Sequence, residues 1–223
     1  MKALPICAAL IALATPAFAG DLDRPIPAPA LDPANPAASE TAVLAGGCFW
    51  GQQGLFEHVK GVMKVVAGYS GGTRDTATYP QVSSETTGHA ESVAITFDPR
   101  VISYGRILQI YFSVAHDPTE LNRQGPDAGT SYRSEIFFAG PAQEKTARAY
   151  VAQLSAAHIF GGPIVTKIAP LHGFYAAEDY HQDYLVHHPD QLYIVVNDLP
   201  KIRALKAVWP QYYRADPVLL PGS

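Results

Sequence analysis

The chain has 223 residues and a formal charge of −4 at neutral pH. That mild acidity argues against nucleic acid and anionic membrane surfaces as partners, and the length suits one domain with a sizeable core. Its eight histidines and two cysteines form no Cys/His ligand set, so no metal site is expected.

Residues 1–19 carry Lys2, an apolar stretch over 3–13 and then Ala17, Phe18 and Ala19. This is the pattern of a secretory signal, with cleavage expected after Ala19 and a periplasmic or secreted location. It is too short and wrongly flanked for a stable membrane span. Cleavage would remove one charged residue, Lys2, so −4 becomes −5, and would remove Cys7 as well. Cys48 then remains alone, without an internal disulfide, as a thiol that is reactive or open to intermolecular pairing. Residues 20–40 hold Pro25, Pro27, Pro29, Pro33 and Pro36 without apolar periodicity and read as an extended, mobile linker.

A domain over 41–213 follows, with a short tail at 214–223. Residues 41–45 read as a buried strand and 52–59 as the body of a helix, with Leu55, Phe56 and Val59 at helix-face spacing. Cys48 therefore falls where strand turns into helix. Gly46 and Gly47 permit a tight turn there, and the helix N-terminus is expected to lower the thiol pKa. A strand over 62–67, a turn at 68–72 and a long polar loop over 74–88 containing Tyr79 come next; loops of that length are usually functional. Alternation of Val93, Ile95 and Phe97 with Ser92, Ala94 and Thr96 marks a strand over 91–97. Ser103 is placed to cap a helix reaching 115. A loop at 117–130, a strand at 132–139, a helix at 141–157 opened by Pro141, and a strand at 164–168 follow. Short helices are expected at 177–186 and 200–208. Interleaved strands and helices with an irregular tail indicate an α+β domain, its helices packed on a mixed sheet.

Gly46-Gly47-Cys48-Phe49-Trp50-Gly51 resembles the active-site signature of the A-type methionine sulfoxide reductases (MsrA), which reduce the S-epimer of methionine sulfoxide. Segments 68–72, 87–91, 116–119 and 129–134 match the same family in the same order, and the likeness runs from about 41 to about 213. It implies a core of ferredoxin-like type. A thiol reducing a sulfoxide must attack sulfur while an acid protonates the departing oxygen. Glu91, at the mouth of its strand, is the candidate acid, kept protonated by an apolar pocket. The resemblance implies that Tyr79 and Tyr132 donate hydrogen bonds to that oxygen, that Phe49 and Trp50 hold the substrate methyl group, and that Asp117 helps order the site. Cys48 would become a sulfenic acid as methionine leaves.

Two departures from the family pattern stand out. Ser83 lies where many members carry Cys and Glu85 where many carry Gly, and segment 192–198 holds no resolving Cys. The chain thus resembles the single-Cys members, which binds no cofactor but needs an external thiol: a thioredoxin-like or glutaredoxin-like protein or a small-molecule thiol. Its expected substrate is methionine sulfoxide, free or in oxidised proteins, and a monomer with neither nucleic-acid nor membrane partner is expected. Two other classes remain at this point. Cys48 with His89 outlines an acyl hydrolase, and the same pocket could bind methionine without catalysis.

Overall fold

The computed structural model describes residues 25–222, so the expected signal at 1–19 lies outside the described residues. Strand β1 (Glu40–Ala45) enters a tight turn and helix α1 (Phe49–Glu57). Strand β2 (Val62–Ser70) follows, then a short helix α2 (Tyr79–Val82) inside the polar loop, and β3 (Ala90–Phe97). Helix α3 (Tyr104–Ile110) runs into a π-helical turn, Tyr111–Ala115. A two-residue pair, β4 (Arg123–Gln124) and β5 (Asp127–Ala128), precedes β6 (Glu135–Phe138) and α4 (Pro141–Ala156). The chain ends with β7 (Lys167–Pro170), β8 (Phe174–Ala176), α5 (Tyr184–His187) and α6 (Leu199–Val208).

The main sheet has the order β7-β6-β1-β3-β2-β8. Its four inner strands pair antiparallel throughout, with β1 between β6 and β3 and β2 on the far side of β3. With α1 and α3 as the crossovers, this is the β-α-β-β-α-β split arrangement of a ferredoxin-like core. The parallel β6–β7 pair makes the sheet mixed. The expected α+β architecture is therefore the observed one.

Apolar periodicity explains the packing. Val93, Ile95 and Phe97 are fully buried on one face of β3, beneath Leu55 and Phe56 of α1 and Ile107 and Leu108 of α3. The opposite face carries a smaller cluster of Val43, Ala45, Ala90 and Phe137. Ser103 caps α3 as expected, its Oγ accepting from the Arg106 N–H at 3.2 Å.

Several boundaries differ from the sequence reading. Residues 25–39, before β1, are docked on the domain and are not a mobile linker. Ile26 is buried, and its carbonyl accepts from Gln109 Nε2 at 2.6 Å. The Tyr150 hydroxyl donates to the Pro27 carbonyl, and Asp32 accepts from the Ser103 hydroxyl and the Gly105 N–H. Single apolar and carboxylate anchors of this kind leave no periodic signal. The tail is docked too: Val218 N–H donates to the Glu57 carbonyl and Leu220 N–H to Asp183 Oδ2. Tyr132 sits in a 3-10 turn, Thr130–Tyr132, and not in the strand after it. The helix expected over 177–186 shrinks to a turn at Asp179–His181 and to α5, because Asp183 adopts a left-handed φ of 50° between them.

Candidate active site

Cys48 is the residue immediately before α1, with φ −53° and ψ 125°, and is 8% exposed. Gly47, at φ 93°, makes the reversal that aims it. Gln52 fastens that turn, donating through Nε2 to the carbonyls of Gly46 (2.7 Å) and Ala115 (3.0 Å). Gly51 permits another approach: a Cβ there would lie 2.0 Å from Asp198 Oδ1.

Glu91 comes from the second residue of β3, beside Tyr69 of β2 in the sheet register. Its Oε2 accepts from the Phe49 N–H at 3.0 Å. The carboxyl thus caps the first turn of α1 on the residue that follows Cys48. Burial pushes Glu91 up to about 8, against the bond from Phe49 and with help from the charges of Asp127, Glu85 and Asp198. The expected protonated acid is therefore present near neutrality.

The expectation for Cys48 itself is reversed. Desolvation raises its pKa well above the ordinary thiol value, and the charges of Glu91 and then Asp198 add to this. A hydrogen bond from the Trp50 backbone and the Lys201 cation pull the other way and do not prevail. The helix N-terminus is real, but its first N–H is taken by Glu91. Cys48 rests as a thiol.

Burial raises the pKa values of Tyr79 and Tyr132, and the fields of Glu91 and then Cys48 add to this, so both keep their protons to donate. Tyr79 is seated by Glu178, whose carboxylate accepts from its N–H and from the Tyr69 hydroxyl, each at 2.9 Å. Phe49 is fully buried, its ring centroid 5.8 Å from Tyr69 and 5.0 Å from His181. Trp50 is half-buried and stacks on Tyr184 at 3.8 Å, with Tyr193 edge-on at 6.0 Å. Its indole N–H donates to His181 Nδ1 at 3.0 Å, and burial keeps that histidine neutral. The accessible apolar wall is therefore Trp50, with Phe49 behind it.

Asp117 makes its side-chain bonds within its own loop. Its Oδ1 accepts from the Thr119 N–H and hydroxyl, and its own N–H donates to Gln124 Oε1, so it braces its own loop. Asp127 is the carboxyl whose field reaches Glu91 and Tyr132, and it accepts from the Tyr193 hydroxyl. The correction follows from position: Asp117 precedes Pro118 and turns the chain, whereas Asp127 lies on β5, just before the turn that carries Tyr132. Asp198, Lys201, His181, Tyr184 and Tyr193 join the site with no motif to mark them. A buried Asp198 paired to Lys201 at 3.1 Å could have been sought in the Asp-x-x-Lys spacing, but that spacing is common on helix surfaces.

His89 does not activate Cys48. Its Nδ1 accepts from the Gly72 N–H at 3.2 Å, which leaves Nε2–H to donate to the Thr73 carbonyl at 2.9 Å. Both ring nitrogens are used on backbone, which removes the base that the acyl-hydrolase reading requires. Among the described residues no group of three or more His, Cys, Asp and Glu side chains could hold a metal ion.

Residues 40–213 match the family model of peptide methionine sulfoxide reductase. The peptide methionine sulfoxide reductase MsrA 2 of Mesorhizobium japonicum is 56% identical over 182 residues, covering 82% of this chain and 93% of that protein. The MsrA 2 of Synechocystis is 47% identical over 195 residues, covering 85% and 91%. Among solved structures, Mxr1 of Saccharomyces cerevisiae in reduced form superposes with a TM-score of 0.62 at 32% identity, covering 71% of this chain and 91% of its own. Methionine sulfoxide reductase A of Corynebacterium diphtheriae gives 0.60 at 36% identity, covering 75% and 84%.

Proposed function

The chain belongs to the A-type peptide methionine sulfoxide reductases, enzymes that reduce methionine S-sulfoxide to methionine, and we propose that Cys48 and Glu91 carry the reaction here. The observation that supports this most strongly is the Glu91 carboxyl bonded to the N–H of Phe49, next to Cys48 in the chain. It puts a protonated acid and the only thiol among the described residues at one helix end.

The substrate methyl group lies against Trp50, and the sulfoxide oxygen points to Glu91, Tyr79 and Tyr132. Proton donation to that oxygen makes the substrate sulfur electrophilic, and Cys48 Sγ attacks it. The thiol proton leaves as the new bond forms and returns Glu91 to its neutral form. In sum, Cys48–SH and the sulfoxide become Cys48–SOH and methionine. The substrate S–O bond and the transient S–S bond break as the hydroxyl passes to Cys48 Sγ, so that Cys48 is oxidised by two electrons and the substrate reduced by two. Because attack needs the thiol to lose a proton that the resting site holds firmly, oxygen protonation and thiol deprotonation are coupled, which protects the resting Cys48 from casual oxidants.

Recycling uses an external thiol. It condenses with the sulfenic acid to a mixed disulfide and water, and a second thiol releases Cys48–SH. A thioredoxin-like or glutaredoxin-like protein or a small thiol fits this step equally. Action outside the cytoplasm rests on residues 1–19 alone, and N-terminal sequencing of exported material beginning at Gly20 tests it.

Glu91→Gln tests the catalytic pair. It keeps the acceptor for Phe49 but not the acidic proton, and sulfoxide reduction should fall roughly 10²-fold. Alkylation of Cys48 should change far less. Equal loss in both reactions would make Glu91 an activator of the thiol and not the acid.

A further inference from the structure

Glu85 lies in the loop between α2 and β3, in no strand or helix, and adopts a left-handed φ of 61°. A glutamate is strained there and glycine is not. Its carboxylate nevertheless accepts three bonds from one short turn: Ser131 N–H at 2.8 Å, Ser131 Oγ at 2.5 Å and Thr130 Oγ1 at 2.9 Å. The fit admits nothing more, since a Cβ on Gly129 would lie 2.4 Å from Glu85 Cδ. The turn so gripped is the 3-10 turn that ends in Tyr132. Arg133 grips the same junction from its other end, donating to the carbonyls of Gly88, His89 and Thr130. Both grips join the loop leading into Glu91 to the turn carrying Tyr132.

We propose that Glu85 is a positioning residue for the reduction step, holding the Tyr132 turn in register with the strand that presents Glu91. The reasoning is one of reach. Tyr132 sits at the end of a turn with no ladder of its own, and two proton donors must converge on one oxygen, where a misplacement of about 1 Å costs about 10²-fold. Three charge-assisted bonds to one carboxylate fix the turn. The strained φ is tolerated because those bonds hold it. This rests on the reading of Tyr132 as a donor to the sulfoxide oxygen.

The test is a double-mutant cycle with Glu85→Gly and Tyr132→Phe, measuring kcat and KM for methionine sulfoxide and the melting temperature of each variant at about pH 6, where Glu91 stays protonated with or without the Glu85 charge that helps raise its pKa. Glu85→Gly removes the grip while suiting the backbone, so folding should be kept. Its kcat should fall at least fivefold with KM changed less than twofold, and Glu85→Gln, which keeps one acceptor, should recover part of the loss. In a Tyr132→Phe background, Glu85→Gly should have no further effect on kcat. If Tyr132→Phe alone leaves kcat unchanged, the reading of Tyr132 fails, and the proposal with it. If Tyr132→Phe slows the enzyme but Glu85→Gly does not, or costs the same factor in both backgrounds, the proposal alone is overturned.

Discussion

Cys48 lies between two regions built in different ways. On one side stand β1, the first turn of α1 and β3, whose geometry is set by continuous sheet pairing. They carry Cys48 and Glu91. On the other stands the stretch from Glu178 to Val208, made of short turns, α5, a π-helical turn at Ile194–Asp198 and α6. It contributes Glu178, His181, Tyr184, Tyr193, Asp198 and Lys201, joined to the centre by hydrogen bonds, ring contacts or fields and not by a strand ladder. The difference teaches a division of labour. Reacting atoms ride on the part of the fold that cannot shift without breaking a sheet, and the surrounding stretch sets polarity and holds side chains. Changes on the first side should abolish turnover, and changes on the second should grade it.

The largest effect expected is from Cys48→Ser. The hydroxyl is similar in size but a far weaker nucleophile, so methionine formation should vanish while the melting temperature is kept. Retained sulfoxide reduction would place the chemistry elsewhere.

Next is pH. Glu91 must be protonated to donate, and burial sets its pKa at about 8. The rate of reduction under saturating thiol should therefore be flat toward neutrality and fall as pH rises through about 8. Alkylation of Cys48, whose thiol is held well above its ordinary value, should rise across the same range. The two profiles should slope in opposite senses, and parallel profiles would mean that one ionisation governs both.

On the second side, Glu178→Gln weakens the hold on Tyr79, because a carboxylate that accepts from both Tyr69 and the Tyr79 N–H becomes an amide. A drop of roughly threefold to tenfold in kcat is expected, in keeping with one charge-assisted bond made neutral. A loss as large as that for Glu91→Gln would erase the distinction between the regions. The smallest effect is Asp198→Asn. Removing a negative charge that raises the Cys48 pKa and freeing Lys201 both favour the thiolate. Alkylation near pH 8 should quicken by about threefold, the factor for half a pKa unit. Slower alkylation would reverse the assigned sign.

The same two regions differ in what the sequence reveals. Val93, Ile95 and Phe97 alternate, and Leu55, Phe56 and Val59 recur at helix spacing, because one buried face imposes its period on the chain. From those patterns the positions of Cys48 before α1 and of Glu91 at the start of β3 follow, whereas the role of Glu91 as the acid follows from the family resemblance and the chemistry. The stretch after Glu178 buries residues without one period: His181, Gln182 and Asp183 are buried consecutively beside exposed Tyr180, and Ile194 and Asp198 are buried on either side of exposed Val196. Asp127 and Asp117 are both loop carboxylates to a reader of sequence, and only the folded turn shows which one faces Glu91. The raised thiol pKa is hidden from the sequence for a related reason. A helix N-terminus can be read from sequence, but the carboxyl that occupies its first N–H comes from 42 residues away.

The central claim is that one thiol, Cys48, takes the oxygen and waits for an outside reductant. It is tested most directly by mixing reduced enzyme with methionine sulfoxide, without any thiol, and quenching. Methionine is counted per enzyme and intact mass is read on the same sample. In enzyme prepared from Gly20 onward, so that Cys48 is its only cysteine, about one methionine per enzyme should appear, with a gain of one oxygen on Cys48. A yield near two, or a loss of two hydrogens with no gain of oxygen, would contradict it.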